Sequence, residues 1–470
     1  MVRQRAGWAA TVAACALLAL GFPAQPAARL GTPDVVAPGV ALFHINDTGL
    51  LDPPGPVAVH LLRLDPRRVR LAAVLAGDQV LGTETVPSMA SRTGAVAAVN
   101  GGFFLPSGEP AGLMKIRGIL VSDASLQRGA VAMAARGGGV ALTFDQVSAS
   151  VVIQVRTDAG SFSVPAATVN GGRARSQVAW FNHLFNRDTD TTDAGTDWIV
   201  AGSPPVVLER RADAIRTVIP RDGAVLSFGG GAPAAPLDRL DAGDPVRATT
   251  VYRTARGTDP AVWERAPDVI GGAGLLMCRG KPIRDWTIEG LRAGFATERH
   301  PRTLIGVDGS GRIWLVAVDG RNPQLSLGMT FAELQGLAHT LRLRDALNLD
   351  GGGSTTMVVR NAVVNHPSDA GGPRRASDAI LVLAGTFDGL QFYLVCLLYA
   401  AARCAVDFTR HYGPGERLGS LSHNQVVCTV LFVVVGALVV KNLRLLKRRQ
   451  RPVEVRSRDT RPAEPAGTID

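Results

Sequence analysis

The sequence predicts an α+β or mixed α/β fold of mixed sheets with hairpins, a C-terminal βαβ unit and one C-terminal transmembrane helix. Three observations carry this expectation. Residues 130–265 consist of short β-prone pieces separated by Gly, Pro and Asp, the pattern of antiparallel strands joined by turns. Between Thr303 and Asp350 an apolar hairpin is followed by an amphipathic helical stretch and a buried strand. Near the C-terminus, Val426 to Val440 is apolar except for Thr429, and a cluster of Lys and Arg follows it.

Taken in chain order, Arg3 and Arg5 precede an apolar run from Trp8 to Leu20 and a Pro/Ala-rich stretch, so residues 1–28 read as an export signal peptide. Val57 to Leu64 and Val69 to Leu75 read as strands, Val86 to Ser91 as a short turn or helix, and Ala95 to Val99 as a buried strand ending in Asn100-Gly101-Gly102. Asn170-Gly171-Gly172 reads as a plain hairpin turn. Ile270-Gly271-Gly272-Ala273-Gly274 is followed by a turn at Arg279-Gly280 instead of a helix, which argues against a dinucleotide loop. Thr303 to Asp308 and Arg312 to Asp319 form a hairpin about Gly309-Ser310. Thr330 with Glu333 makes a capping box ahead of Phe331, Leu334, Leu337, Ala338 and Leu341 at helical spacing, and Ala346 to Asp350 is the next strand. The domain expectation is 32–384 for the globular body, 385–424 for a linker with an apolar helix, 425–446 for the membrane helix and 447–470 for a basic cytoplasmic tail.

The charge of +10 does not point to nucleic acid. Residues 441–470 carry nine Lys/Arg against four Asp/Glu, which places five of the ten excess charges there, and no basic stripe interleaved with aromatics occurs elsewhere. Lysine is confined to Lys115, Lys281, Lys441 and Lys447, an arginine bias typical of a GC-rich bacterial genome. The five cysteines form no disulfide framework, so an exported chain of this composition relies on its own core.

The candidate chemistry gathers at one sheet edge. Parallel strands of a βαβ unit would bring Asp319 and Asp350 out on the same side, where ligands bind in α/β sheets. Carboxylates on neighbouring or next-neighbouring strands stand at separations that glycosidic acid/base pairs use. Pairing across the hairpin brings Arg302 to the same edge. Gly351, Gly352 and Gly353 follow Asp350 directly; three glycines in a row suit close approach of backbone to a ligand, or positive φ. A second hairpin turning at Arg360-Asn361 returns Asn365 and His366 to this loop, and Arg374 and Arg375 follow. His366, preceding Pro367, reads as a loop residue, and plain Asp-Gly turns are the bland alternative at Asp319 and Asp350. Hard cations bind Asp and Asn oxygens, but no Cys/His ligand set or EF-hand spacing is present, so a divalent cation is left open.

Asn100-Gly101-Gly102-Phe103-Phe104, His300-Pro301-Arg302-Thr303, Val318-Asp319-Gly320-Arg321 and Asn348-Leu349-Asp350-Gly351-Gly352-Gly353-Ser354-Thr355-Thr356-Met357 stand in this order along the chain. Together they resemble the phosphodiester glycosidase domain family, over roughly Val57 to Leu383. The resemblance implies hydrolysis of a sugar-1-phosphodiester or envelope glycan without an organic cofactor, in a bacterial cell envelope. It implies Asp350 and Asp319 as the catalytic carboxylates. It also implies substrate contacts from Asn100, Gly101, Gly102, Arg302, Asn348, Gly351, Gly352, Gly353, Ser354, Thr355 and Asn365. The expected partners are that substrate and, through the C-terminal helix, the membrane. A non-catalytic glycan-binding module and a metal-assisted phosphodiesterase are the rival readings.

Overall fold

A computed structural model describes residues 30–384, 390–407, 417–418 and 421–449; the expected signal peptide and most of the basic tail lie outside these residues. The elements that position the site are β1 (Val40–Asn46), β2 (Ala58–Leu64), β3 (Val69–Leu75), α1 (Val86–Thr93), β4 (Ala97–Asn100), β5 (Arg302–Asp308), β6 (Ile313–Val318), α2 (Phe331–Thr340), β7 (Leu343–Asn348), β8 (Met357–Val359) and β9 (Asp378–Ala384). An eight-stranded sheet runs in the order Asp34–Ala37, β1, β2, β6, β5, β7, Leu275–Cys278, Lys281–Pro282. A five-stranded sheet runs Ala362–Val363, β8, β4, β9, β3.

Strand periodicity explains how these layers stack. In the eight-stranded sheet Leu62, Ile305, Leu315 and Leu347 enter one apolar cluster, together with Val99, Met357 and Ile380 of the five-stranded sheet. Their alternates Leu61, Leu304, Val316 and Ala346 enter another with Phe331, Leu334 and Leu337 of α2. Because successive side chains point to opposite faces, every residue of β6 is buried on one side or the other. On the far face of the five-stranded sheet, Val86, Met89 and Ala90 of α1 pack on Ala98 and Leu381. The body is therefore two sheets face to face with a helix on each outer surface. Residues 114–271 contribute two more sheets with a core of their own, around Ile153, Trp198, Leu226 and Trp263.

The protein is sheet-rich with few helices. The expected hairpin, its register and the capping box are present: Arg302 lies opposite Val318, and Thr330 and Glu333 cap each other. The expected βαβ unit is not. β6 and β7 run the same way because each is antiparallel to β5, but β5 lies between them, so they form no parallel pair. The hairpin explains this: β5 uses one edge for β6 and the other for β7, and β6 spends its free edge on β2. Asn170-Gly171-Gly172 is likewise no hairpin turn, since Thr168–Val169 pairs in parallel with Val178–Asn182.

The cap of α2 is measurable on its own. Thr330 Oγ accepts from the Glu333 N–H at 3.2 Å, and the Glu333 carboxylate accepts from the Thr330 N–H at 2.8 Å and the Asp52 N–H at 3.0 Å. Thr330→Ala should cost about 1 kcal/mol. Urea unfolding should show a lower midpoint at unchanged slope.

After β9 come α3 (Leu390–Asp407) and α4 (His423–Arg449), which pack against each other. Residues His423–Lys441 are long and apolar enough to cross a membrane by length and composition. Val427, Val430, Phe432, Val433 and Val434 are exposed, as a lipid-facing surface would require and a soluble core helix would not.

Candidate active site

β4 and β7 end side by side and set the floor of the site. Asn100, fully buried at the end of β4, donates from Nδ2 to the Asp350 carbonyl at 2.8 Å. Its Oδ1 accepts from Thr303 Oγ at 2.7 Å and from the Thr356 N–H at 3.2 Å. The Asp350 N–H returns to the Gly101 carbonyl at 3.0 Å. Asn100 is thus a clamp between the two Gly-containing loops, with both ends of its amide spent inside the protein.

Gly101 is required by a carboxylate outside the expected site set, and Gly102 by the Gly271 carbonyl, 2.7 Å from where its Cβ would lie. Asp378, the first residue of β9 and 2% exposed, accepts from the Gly102 N–H at 2.9 Å and from Ser377 Oγ. A Cβ on Gly101 would lie 1.8 Å from Asp378 Oδ1, so no larger residue fits without displacing it. Burial pushes the Asp378 carboxyl up to about 6, and the charge of nearby Asp350 adds to the rise.

Asp350 is only partly exposed, and its Oδ1 accepts from the Gly351 N–H at 2.8 Å. Burial pushes its carboxyl up to about 6, against the opposing pull of that N–H and of the Arg374 charge. Gly352 adopts φ +61°, the left-handed region, and a Cβ there would meet the Arg321 guanidinium at 2.9 Å. One on Gly353 would lie 2.3 Å from Arg374 Nη2. Two guanidinium groups therefore rest on the glycine loop beside Asp350. Arg374 is paired with Asp369 at 2.7 Å, whereas Arg321 has no ion-pair partner among the described residues. The N–H groups of Gly352, Ser354 and Thr355 are bonded to the carbonyls of Pro301, Gly351 and Gly352, so holding an anion falls to the arginines more than to this backbone.

On either side of the glycines, Asn348 Oδ1, Ser354 Oγ, Thr355 Oγ1 and Thr356 Oγ1 are buried without a hydrogen-bond partner. Buried polar atoms are nearly always paired, so four along one loop mark a place where a ligand or water completes the bonding.

Asp319 follows β6 and stands 1% exposed inside a ring of donors. Its Oδ2 lies 2.9 Å from His60 Nε2 and 3.0 Å from His366 Nδ1; its Oδ1 accepts from the His366 N–H at 2.9 Å and Asn365 Nδ2 at 3.1 Å. Burial alone would lift this carboxyl, but the hydrogen bond and charge of His60 and the hydrogen bonds of His366 outweigh it and hold the group below its ordinary value. Asn365 also donates to the Thr355 carbonyl at 3.1 Å, which ties this cluster to the glycine loop. His366 is therefore more than a loop residue: its exposed ring is fixed by Asp319.

Arg302 reaches the expected sheet edge but is turned into the fold. Its Nε donates to the Met329 carbonyl at 2.9 Å, its Nη2 to those of Phe295 and Glu298 at 2.8 and 2.9 Å, and the guanidinium lies between the rings of Phe295 and Phe331. Burial brings it down to about 10. It anchors the loop that precedes β5. Five contributors lie outside the set of site residues that the sequence predicts, His366 among them. His60 interrupts an apolar strand in which Arg63 is the one other polar residue from Val57 to Leu64, and that interruption is the available signal. Asp378, at the head of an apolar strand, gives a similar one; Arg321 and Arg374 give none beyond their proximity in sequence.

Residues 195–383 match the family described as phosphodiester glycosidase. The match covers 189 of the 470 residues. The matched region holds Arg302, Arg321, Asp319, the Asp350 loop, Asn365 and Asp378, and the β4 loop and His60 are brought to it by the fold. The mouse N-acetylglucosamine-1-phosphodiester alpha-N-acetylglucosaminidase is 37% identical over 78 residues, 16% of this chain and 14% of that relative. Two solved structures share the fold at 24% identity. A protein from Synechocystis superposes with a TM-score of 0.62, covering 74% of this chain and 62% of its own. One from Burkholderia pseudomallei superposes at 0.61, covering 70% and 74%.

Proposed function

We propose that this chain hydrolyses the glycosidic bond of a sugar-1-phosphodiester, as an exported, membrane-anchored enzyme acting on cell-envelope glycans. The family match supports the reaction class, and one observation carries the assignment to this site: a raised carboxyl, Asp350, sits under two guanidinium groups on a glycine loop. A phosphodiester leaving group is anionic, and Arg321 and Arg374 offset the charge that grows on it as the bond breaks. Asp350, neutral below about pH 6, donates the proton. Asp319 is driven the other way, to the ionised state, and a pair of carboxyls displaced in opposite directions divides the acid and base roles. At 1% exposure Asp319 acts through His366, whose ring reaches solvent and orients water.

The test is turnover by the full-length protein in detergent, on a panel of sugar-1-phosphodiesters. Free sugar with the phosphomonoester of the aglycone is the expected pair of products. Sugar 1-phosphate would mean cleavage of the phosphorus–oxygen bond on the aglycone side, and binding without turnover would mean a glycan-binding module. Arg321→Ala should lower kcat/KM by about 100-fold, the scale of losing one donor to developing charge. The exposed site of this substitution should leave the unfolding temperature unchanged, and steady-state kinetics with a thermal melt checks both. The membrane anchor is carried by α4; labelling of single cysteines placed beyond each end of it would report which side each faces.

A further inference from the structure

The cluster around Asp319 has a second capacity. We propose that His60 Nε2, Asp319 Oδ2 and His366 Nδ1 bind one divalent transition-metal ion. These three atoms lie within 4.8 Å of one another, with His60 and His366 at 2.9 and 3.0 Å from the same carboxylate oxygen. Ligands at about 2.0–2.2 Å from one ion sit roughly 3 Å apart, so a small movement outward admits it. Without an ion, both imidazoles must each present an N–H to one oxygen; with an ion, both present lone pairs, and the carboxylate supplies the negative charge.

The surroundings match what such sites need. His60 Nδ1 lies 2.8 Å from His44 Nδ1, so a proton on His60 Nδ1 leaves Nε2 free to ligate. Asp319 Oδ1 is fixed by Asn365 and the His366 N–H, which leaves Oδ2 for the metal. The His366 side chain is 64% exposed, so the remaining coordination positions open to solvent next to the glycine loop. Two imidazole nitrogens and one carboxylate oxygen suit zinc, manganese, cobalt or nickel and disfavour calcium and magnesium, which take oxygen ligands. Binding does not depend on the proposed glycosidase reaction; only a role for a metal-bound water in that reaction would rest on it.

The experiment is a Co²⁺ titration of chelator-treated full-length protein in detergent, followed by visible absorption, with Zn²⁺ displacement. One Co²⁺ per chain with ligand-field bands, lost on adding Zn²⁺, is expected. His366→Ala, made at an exposed ring and verified as folded by circular dichroism, should weaken binding by more than the roughly 10- to 100-fold that losing an outer partner costs. His44→Ala should fall within that range. The proposal is overturned if the folded wild-type chain takes up no Co²⁺ at millimolar concentration, or if His366→Ala binds it as tightly as wild type. Metal uptake is read without turnover, so its failure and the failure of the glycosidase reading are separate results.

Discussion

Asp350→Asn lowers kcat for a sugar-1-phosphodiester by about 100- to 10,000-fold, the contribution of a general acid, with the protein still folded. The amide keeps the shape and can still accept from the Gly351 N–H, but it has no proton to give. The pH profile supplies an independent readout. An acid with its carboxyl at about 6 is protonated below that pH and spent above it, so kcat/KM of the wild type should fall as pH rises past about 6. In Asp350→Asn the residual rate should lack that limb. Retained wild-type turnover in this variant would remove Asp350 from the mechanism.

The second large effect is on stability, at Asp378. Its carboxyl ionises near 3.9 in the unfolded chain and at about 6 in the folded one. Between those values the folded state holds a proton that the unfolded state has released, so stability from this group declines as pH rises through the window and levels off above it. Asp378→Asn removes the ionisation while still accepting from the Gly102 N–H. Relative to wild type, the variant should therefore gain on the order of 3 kcal/mol between pH 4 and pH 7, at about 1.4 kcal/mol for each pH unit that separates the folded and unfolded ionisation midpoints. Urea unfolding of both proteins across that range measures the difference, in which carboxylates displaced the other way, such as Glu84 and Glu333, cancel. A constant difference between the two proteins would show that Asp378 ionises normally in the fold.

Local signals in the chain were legible because local physics produced them. The Thr330–Glu333 box, the hairpin about Gly309-Ser310 and the turn at Arg360-Asn361, where both residues take positive φ, depend on residues a few positions apart. The sheet edge shared by Asp319 and Asp350 was also legible, since strand direction follows from the hairpin and the helix. Which strands are neighbours was not, because β5 could be flanked on either edge and only packing of the whole sheet decides that β7 takes the second one. The site divides in the same way. Asp350 and its glycines were readable as a unit, whereas His60 lies 259 residues from Asp319, and Gly102 lies 276 residues from its acceptor Asp378. Arg302 shows the converse error: its position at the edge was correct, but side-chain direction is set by the carbonyls of Phe295, Glu298 and Met329, which no spacing rule anticipates.

In the proposed reaction water attacks the sugar carbon and the carbon–oxygen bond breaks. Product identity alone does not establish this, because rupture of the phosphorus–oxygen bond on the sugar side releases the same two molecules. Hydrolysis by the full-length protein in ¹⁸O-labelled water, with mass spectrometry of both products, separates the cases. Attack at carbon puts one ¹⁸O in the released sugar, measured before its anomeric oxygen exchanges with solvent, and none in the phosphomonoester. Label in the phosphomonoester instead would contradict the glycosidase mechanism and make the enzyme a phosphodiesterase.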